Sequence, residues 1–171
     1  MAKLAKLWSR IWLRGVQFSG KYTRLAKLYM VEDPWGLASE REHVRFARTN
    51  ALLEQVAPGC NSVLEIGCGE GAQTAWLAKI CDNVTGLDVS QRAVARARVR
   101  VPQARFLAGR AEDLDTLLPG ESFGCVLACE VLYYAADPAA VIAAMPDAVA
   151  RHASAPSSNA MRCSSTSTVG F

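Results

Sequence analysis

The feature that most constrains this chain is the run Val63-Leu64-Glu65-Ile66-Gly67-Cys68-Gly69-Glu70-Gly71. A short stretch of strand character ends on a glycine-rich turn, and a helical apolar pattern follows. Glycines at such a turn let a ligand approach the backbone closely. Open parallel sheets bind ligands at this carboxyl edge. The rest of the chain supplies the partners such a strand needs. Residues 84–88, 104–108 and 123–128 read as strands. Helices are expected over 71–80, and over 90–100 behind Ser90 as a cap. A last helix opens at Asp137-Pro138 and is disturbed or ended by Pro146. Upstream, Asp33-Pro34-Trp35-Gly36 is a turn. Ser39 and Glu42 then form a capping box for a helix to residue 56, which Pro58-Gly59 stops. Strand alternating with helix predicts an α/β fold, a Rossmann-like doubly wound parallel sheet.

With 171 residues, 51% hydrophobic and 20% charged, the chain can bury a core of one-domain size. No charge-free apolar run reaches the roughly 18 residues of a membrane span. Residues 1–31 carry seven Lys/Arg and no acid, whereas the remainder has 12 Lys/Arg against 16 Asp/Glu. A mildly acidic body argues against nucleic acid as a partner. Within the basic arm, Leu4, Leu7, Trp8, Ile11 and Trp12 form the stripe of an amphipathic helix. That helix packs on its own domain, touches a membrane surface or forms a flap over a binding site. Residues 151–171 hold eight Ser/Thr and no acid, and read as a disordered tail. The expected division is an arm at 1–31, a ligand-binding domain at 32–150 and the tail. The six cysteines, at 60, 68, 81, 125, 129 and 163, form no C-x-x-C pair. They read as reduced thiols of a cytoplasmic protein. His43 and His152 have no metal-ligand spacing with them, so no metal site is expected.

Gly67, Gly69 and Ala72 also fit G-x-G-x-x-A, so a nicotinamide or flavin dinucleotide has to be considered. Two carboxylates sharpen the choice, and the second of them disfavours the dinucleotide. Asp88, 17 residues after Gly71, ends the second strand and can accept both hydroxyls of a ribose. Glu65, inside the first strand, would oppose a pyrophosphate and welcome an ammonium group. A nucleoside carrying a cationic amino-acid group is S-adenosylmethionine.

These residues, with Gly86-Leu87-Asp88-Val89-Ser90, Gly109-Arg110-Ala111-Glu112-Asp113-Leu114 and the stretch 123–134, resemble the class I S-adenosylmethionine-dependent methyltransferases. The resemblance covers roughly residues 61–150. It implies cofactor contacts at Glu65, Gly67, Cys68, Gly69, Gly71, Asp88, Val89 and Cys129. It places Ala111, Glu112 and Asp113 at the adenine. Asp33-Pro34-Trp35, the helix after it and Glu130-Val131-Leu132-Tyr133-Tyr134 are similar to the nodulation protein S group. Those enzymes N-methylate an amino sugar of a lipo-chitooligosaccharide precursor. A small-molecule acceptor, and an amine in particular, is therefore implied. Glu130 is then a catalytic candidate that holds the acceptor ammonium and takes its proton; the other reading is a cap or a cofactor contact. Tyr134, with Tyr133, shapes the acceptor pocket, faces the sulfonium or packs in the core. Trp35 closes over the cofactor or simply packs. Arg92, Arg96 and Arg100 share a helix face, as a phosphate stripe or a solvated surface.

The family continues past its fourth strand through three more, and no apolar strand follows Met145-Pro146 here. The expectation is a truncated domain with strands one to four, an unpaired edge on the fourth, and self-association through that edge. An active methyltransferase, a non-catalytic cofactor-binding remnant and a nicotinamide-type oxidoreductase, the last disfavoured by Glu65, all remain open at this point.

Overall fold

A computed structural model describes residues 20–150. The amphipathic stripe at 4–14 and the tail at 151–171 lie outside the described residues. The chain opens with α1 (Tyr22–Leu28) and α2 (Glu40–Val56). It then alternates β1 (Ser62–Ile66), α3 (Thr74–Leu77), β2 (Asn83–Asp88), α4 (Gln91–Arg100) and β3 (Arg105–Ala108). After a 3-10 turn at Ala111–Asp113 come α5 (Leu114–Leu117), β4 (Cys125–Ala128), a 3-10 turn at Leu132–Tyr134 and α6 (Pro138–Ala150).

All strands are parallel, in the order β3-β2-β1-β4. Val63 lies opposite Val84 on one side and Cys125 on the other. β1 is covered on both faces, which is why it reads as a near-continuous apolar run. Its alternation sends Val63 toward Leu53, Leu77 and Val84, and sends Leu64 and Ile66 toward Leu114, Phe123 and Val141 on the opposite face. Glu65 therefore shares the Val63 face. The chain winds outward through β2 and β3, then returns to the far side of β1 as β4. That reversal opens a crevice beyond the carboxyl ends of β1 and β4, the place where such sheets bind ligands. Among the described residues β4 pairs with β1 alone, and its four residues are only half-buried.

Several local expectations need correction. The helix foreseen at 71–80 is regular only over Thr74–Leu77, because Gly71 holds φ at 76° and the first turn cannot start there. Ser39 has the extended backbone of a cap, yet its hydroxyl bonds nothing there. The Asp33 carboxylate instead accepts from Leu37 N at 2.6 Å, and Glu42 pairs with Arg45 at 2.7 Å. Pro146 does not end α6, which runs on to Ala150. An interior proline removes one backbone donor and crowds the carbonyl four residues back, which weakens a helix, yet its fixed φ is helical and the helix need not end there. Ser90 does cap α4, its Oγ accepting from Ala93 N at 3.2 Å. Arg96 forms neither a phosphate stripe nor a free surface. It pairs with the buried Glu70 and donates to Val31 O at 3.1 Å, tying α4 to the segment before α2. No helix among the described residues is long and apolar enough to cross a membrane.

Candidate functional site

The turn after β1 forms the floor of the crevice. Gly67 adopts φ 76°, and a Cβ there would lie 2.4 Å from Cγ2 of Val131. Only glycine lets the loops after β1 and β4 pass this closely. The turn uses its own donors internally. Gly67 N and Cys68 N both bond Leu87 O, at 2.7 and 3.1 Å, and Gly71 N bonds Cys68 O at 2.9 Å. Gly69 N donates to Asp88 Oδ2 at 3.0 Å. Four amides of the turn are thus spent within the protein and are not offered to an anion.

Above this floor lies a cavity of about 670 Å³. Glu65, Gly67, Gly69, Gln73 and Asp88 form its base, Cys129 to Val131 with Tyr133 and Tyr134 one wall, and Arg41, Arg45 and Phe46 of α2 another. Tyr29 and Trp35 enclose it, with Trp35 Nε1 donating to the Tyr29 hydroxyl at 3.1 Å. A second hollow of about 40 Å³ adjoins it, sharing Gly67, Asp88, Val131 and Tyr134, and is bordered by Val89, Ala111 and Glu112.

Both predicted carboxylates sit in the base, and both are buried. Burial drives the Glu65 carboxyl up to about 7, against the opposing hydrogen bond from the Thr74 hydroxyl. Nearby Asp88 raises it further, and Arg45 lowers it. Burial likewise lifts Asp88 to about 6, although Ser90 N and Gly69 N donate to its two oxygens, at 2.8 and 3.0 Å. A carboxylate has about four lone-pair directions, so each oxygen of Asp88 can still accept a hydroxyl. Two buried acids at one end of a cavity favour a ligand that brings positive charge and donors.

The remaining predicted residues divide. Val89 and Ala111 border the hollow, and Cys129 and Tyr134 border the main cavity. Cys68 contributes backbone only, since its thiol is buried against Val94, Ala97 and Phe106. Gly71 faces α4, where a Cβ would lie 3.2 Å from Ala97, and borders neither space. Asp113 borders neither space. Glu112 is already engaged: the Tyr22 hydroxyl donates to its Oε1, and Ala136 N reaches the same oxygen at 2.9 Å. Burial works to raise this carboxyl, but those bonds prevail and hold it below its ordinary value. Glu130 has left-handed backbone, φ 54°, which a non-glycine residue adopts at a cost. Its Oε2 accepts from the Tyr133 hydroxyl at 3.1 Å. Tyr133 is exposed and Tyr134 half-buried, so neither is a core residue. The Tyr134 ring lies 4.4 Å from that of Tyr133 and 5.6 Å from that of Trp35, making an aromatic corner of the cavity.

Tyr22, Tyr29, Arg45 and Gln73 were not foreseen. Leu25, Leu28 and Tyr29 are buried at helical spacing, a stripe the sequence contains. Gln73 follows the glycine run by two residues and carried no signal of its own.

The methyltransferase domain family matches residues 64–152, from within β1 through α6. This chain belongs to that family. Within it the chain falls in the nodulation protein S-like group of class I S-adenosylmethionine-dependent methyltransferases. It is 34% identical to nodulation protein S of Sinorhizobium fredii over 129 residues, which are 75% of this chain and 59% of that protein. With nodulation protein S of Bradyrhizobium diazoefficiens it shares 33% over 108 residues, 63% of this chain and 51% of the other. The chain thus spans between half and three fifths of these curated relatives. Among solved structures, the N-methyltransferase NodS from Bradyrhizobium japonicum in complex with S-adenosyl-L-homocysteine superposes with a TM-score of 0.66 at 30% identity. That match covers 75% of this chain and 67% of NodS. An amino pentose methyltransferase from Micromonospora echinaspora, solved with S-adenosylmethionine, gives a TM-score of 0.53 at 25% identity, over 63% of this chain and 46% of the other. The methyltransferase family's cofactor is S-adenosylmethionine.

Proposed function

We propose that this methyltransferase transfers a methyl group from S-adenosylmethionine to the amine of a small molecule of the amino-sugar class. The observation that carries the reading is the pairing of two features at one sheet edge. Buried Glu65 and Asp88 line the base of the cavity, where they suit a cationic, hydroxyl-bearing cofactor, and Glu130 with two tyrosines stands across the same crevice. The N-methyltransferase and amino pentose methyltransferase relatives support the acceptor class.

The residues fit the cofactor. Asp88 offers free lone pairs to ribose hydroxyls, Glu65 offers charge to an ammonium, and Gly67 and Gly69 keep the floor clear. Val89, Ala111 and Glu112 line the way to the adenine end, and Cys129 borders the main cavity. When bound, S-adenosylmethionine supplies an already activated methyl group on a sulfonium. The protein's remaining work is alignment, exclusion of water and release of a nitrogen lone pair. Glu130 accepts the proton that the acceptor ammonium must lose, and its carboxylate orients the nitrogen. The aromatic faces of Tyr133 and Tyr134 suit a passing cation.

The test is a methyl-transfer assay with isotopically labelled cofactor on 2-amino-2-deoxy sugars and their N-acetylated counterparts. Label in the free-amine sugar alone supports the reading. Label only in hydroxyl-bearing acceptors, or in none, overturns it.

A further inference from the structure

The cavity base holds one polar side chain that nothing in the fold satisfies. Gln73 is 5% exposed, and neither its amide nitrogen nor its amide oxygen has a hydrogen-bond partner among the described residues. Buried amides are ordinarily paired, because leaving both ends unmet is costly. This one lines the main cavity. One donor and one acceptor side by side require a ligand end that presents one acceptor and one donor.

Position narrows which end that is. Gln73 directly precedes Thr74, whose hydroxyl bonds Glu65, so both residues belong to the same part of the cavity. The adjoining hollow, bordered by Val89 and Ala111, does not include Gln73. Asp88 and Gly67 border both spaces and lie between the two ends. The nucleoside therefore extends toward the hollow, and the amino-acid end toward Glu65, Gln73 and Arg45. We infer that Gln73 recognises the amino-acid end of the cofactor, its amide nitrogen donating to the carboxylate and its amide oxygen accepting from the ammonium. The inference rests on the cofactor reading above. Since both amide ends are unmet, either orientation of the amide can be satisfied by such a group. Glu65 accepts from the remaining ammonium N–H groups.

The experiment is calorimetric titration of the full chain and its variants with two ligands. S-adenosyl-L-homocysteine carries the amino-acid end; 5′-methylthioadenosine lacks it. In Gln73→Leu, affinity for S-adenosyl-L-homocysteine falls about tenfold to a hundredfold, the worth of hydrogen bonds to charged groups, while 5′-methylthioadenosine binds as before. The melting temperature of the free variant stays level or rises, because an apolar isostere removes an unmet buried amide. Gln73→Glu keeps the shape and sets a charge against the carboxylate, so it weakens S-adenosyl-L-homocysteine at least as much. Equal loss for both ligands, unchanged affinity for both, or a lowered melting temperature with the ligand preference intact would assign Gln73 a structural role and overturn the inference. Failure of the unmutated chain to bind either ligand overturns instead the cofactor reading on which it rests.

Discussion

Replacing Glu65 by glutamine makes the free protein more stable at pH 8 and leaves it unchanged at pH 4.5. The reason is the proton that burial forces onto this side chain. Its carboxyl moves from an ordinary value of 4.5 to about 7 in the fold. The folded state thus holds the proton more tightly than the unfolded state. Stability from this group is intact below pH 4.5 and is lost as pH rises through about 7. A gap of about 2.5 pH units at 1.36 kcal/mol each comes to about 3 kcal/mol at pH 8. That is a large share of the 5–15 kcal/mol typical of a folded domain. Glutamine keeps the volume and still accepts from the Thr74 hydroxyl, so the substitution removes the charge and little else. Asp88, raised from 3.8 to about 6, adds a parallel slope that parent and variant share. Urea titrations followed by tryptophan fluorescence at pH 4.5, 6, 7 and 8 measure the difference. Glu65→Gln gains about 2–3 kcal/mol at pH 8, with no change in denaturant slope, and the gap closes toward pH 4.5. A variant no more stable than its parent at pH 8, or a gap that ignores pH, refutes the reasoning. The same substitution weakens cofactor binding, because the cost of burying this charge is what makes it attract an ammonium.

Affinity for S-adenosyl-L-homocysteine falls roughly tenfold from pH 8 to pH 6 as Glu65 takes up its proton, and Glu65→Gln flattens that profile; a calorimetric pH series that is flat in the parent contradicts this. Asp88→Asn lowers the same affinity by about tenfold or more while retaining the Gly69 and Ser90 contacts in part, and unchanged binding removes the ribose role. Glu130→Gln leaves S-adenosyl-L-homocysteine affinity in place and slows methyl transfer to an amine by about 10²–10⁴, so an unaltered rate denies it the proton. Gly67→Ala forces a Cβ to 2.4 Å from Val131 at φ 76° and costs about 1–3 kcal/mol in thermal denaturation. Val131→Ala in the same chain restores part of that loss, and no recovery would place the strain elsewhere.

What the sequence determined alone rests on local chemistry. The glycine run after residues 63–66 permits one kind of turn, and alternating strand and helix periods permit few topologies. Glu65 and Asp88 pointed to a cationic nucleoside because an acid inside an apolar strand is costly and an acid at a strand end borders a crevice. Gly71 and Asp113 show the limit of such reading. Motif position put them at the cofactor, whereas Gly71 makes room for Ala97 and Asp113 borders no cavity.

Tertiary structure decided everything that depends on residues distant in the chain meeting. The order β3-β2-β1-β4 sets Glu130 across the crevice from Glu65, a neighbourhood no local period encodes. It brought Tyr22 to Glu112 at the adjoining hollow, closed Tyr29 and Trp35 over the main cavity, and turned Arg96 into a tie to Glu70 rather than a surface charge. It also left the Gln73 amide buried and unmet, and a glutamine two places past a glycine motif gives no sign of that. A side chain's type is a property of sequence. Whether its hydrogen bonds are satisfied is a property of what the fold places around it.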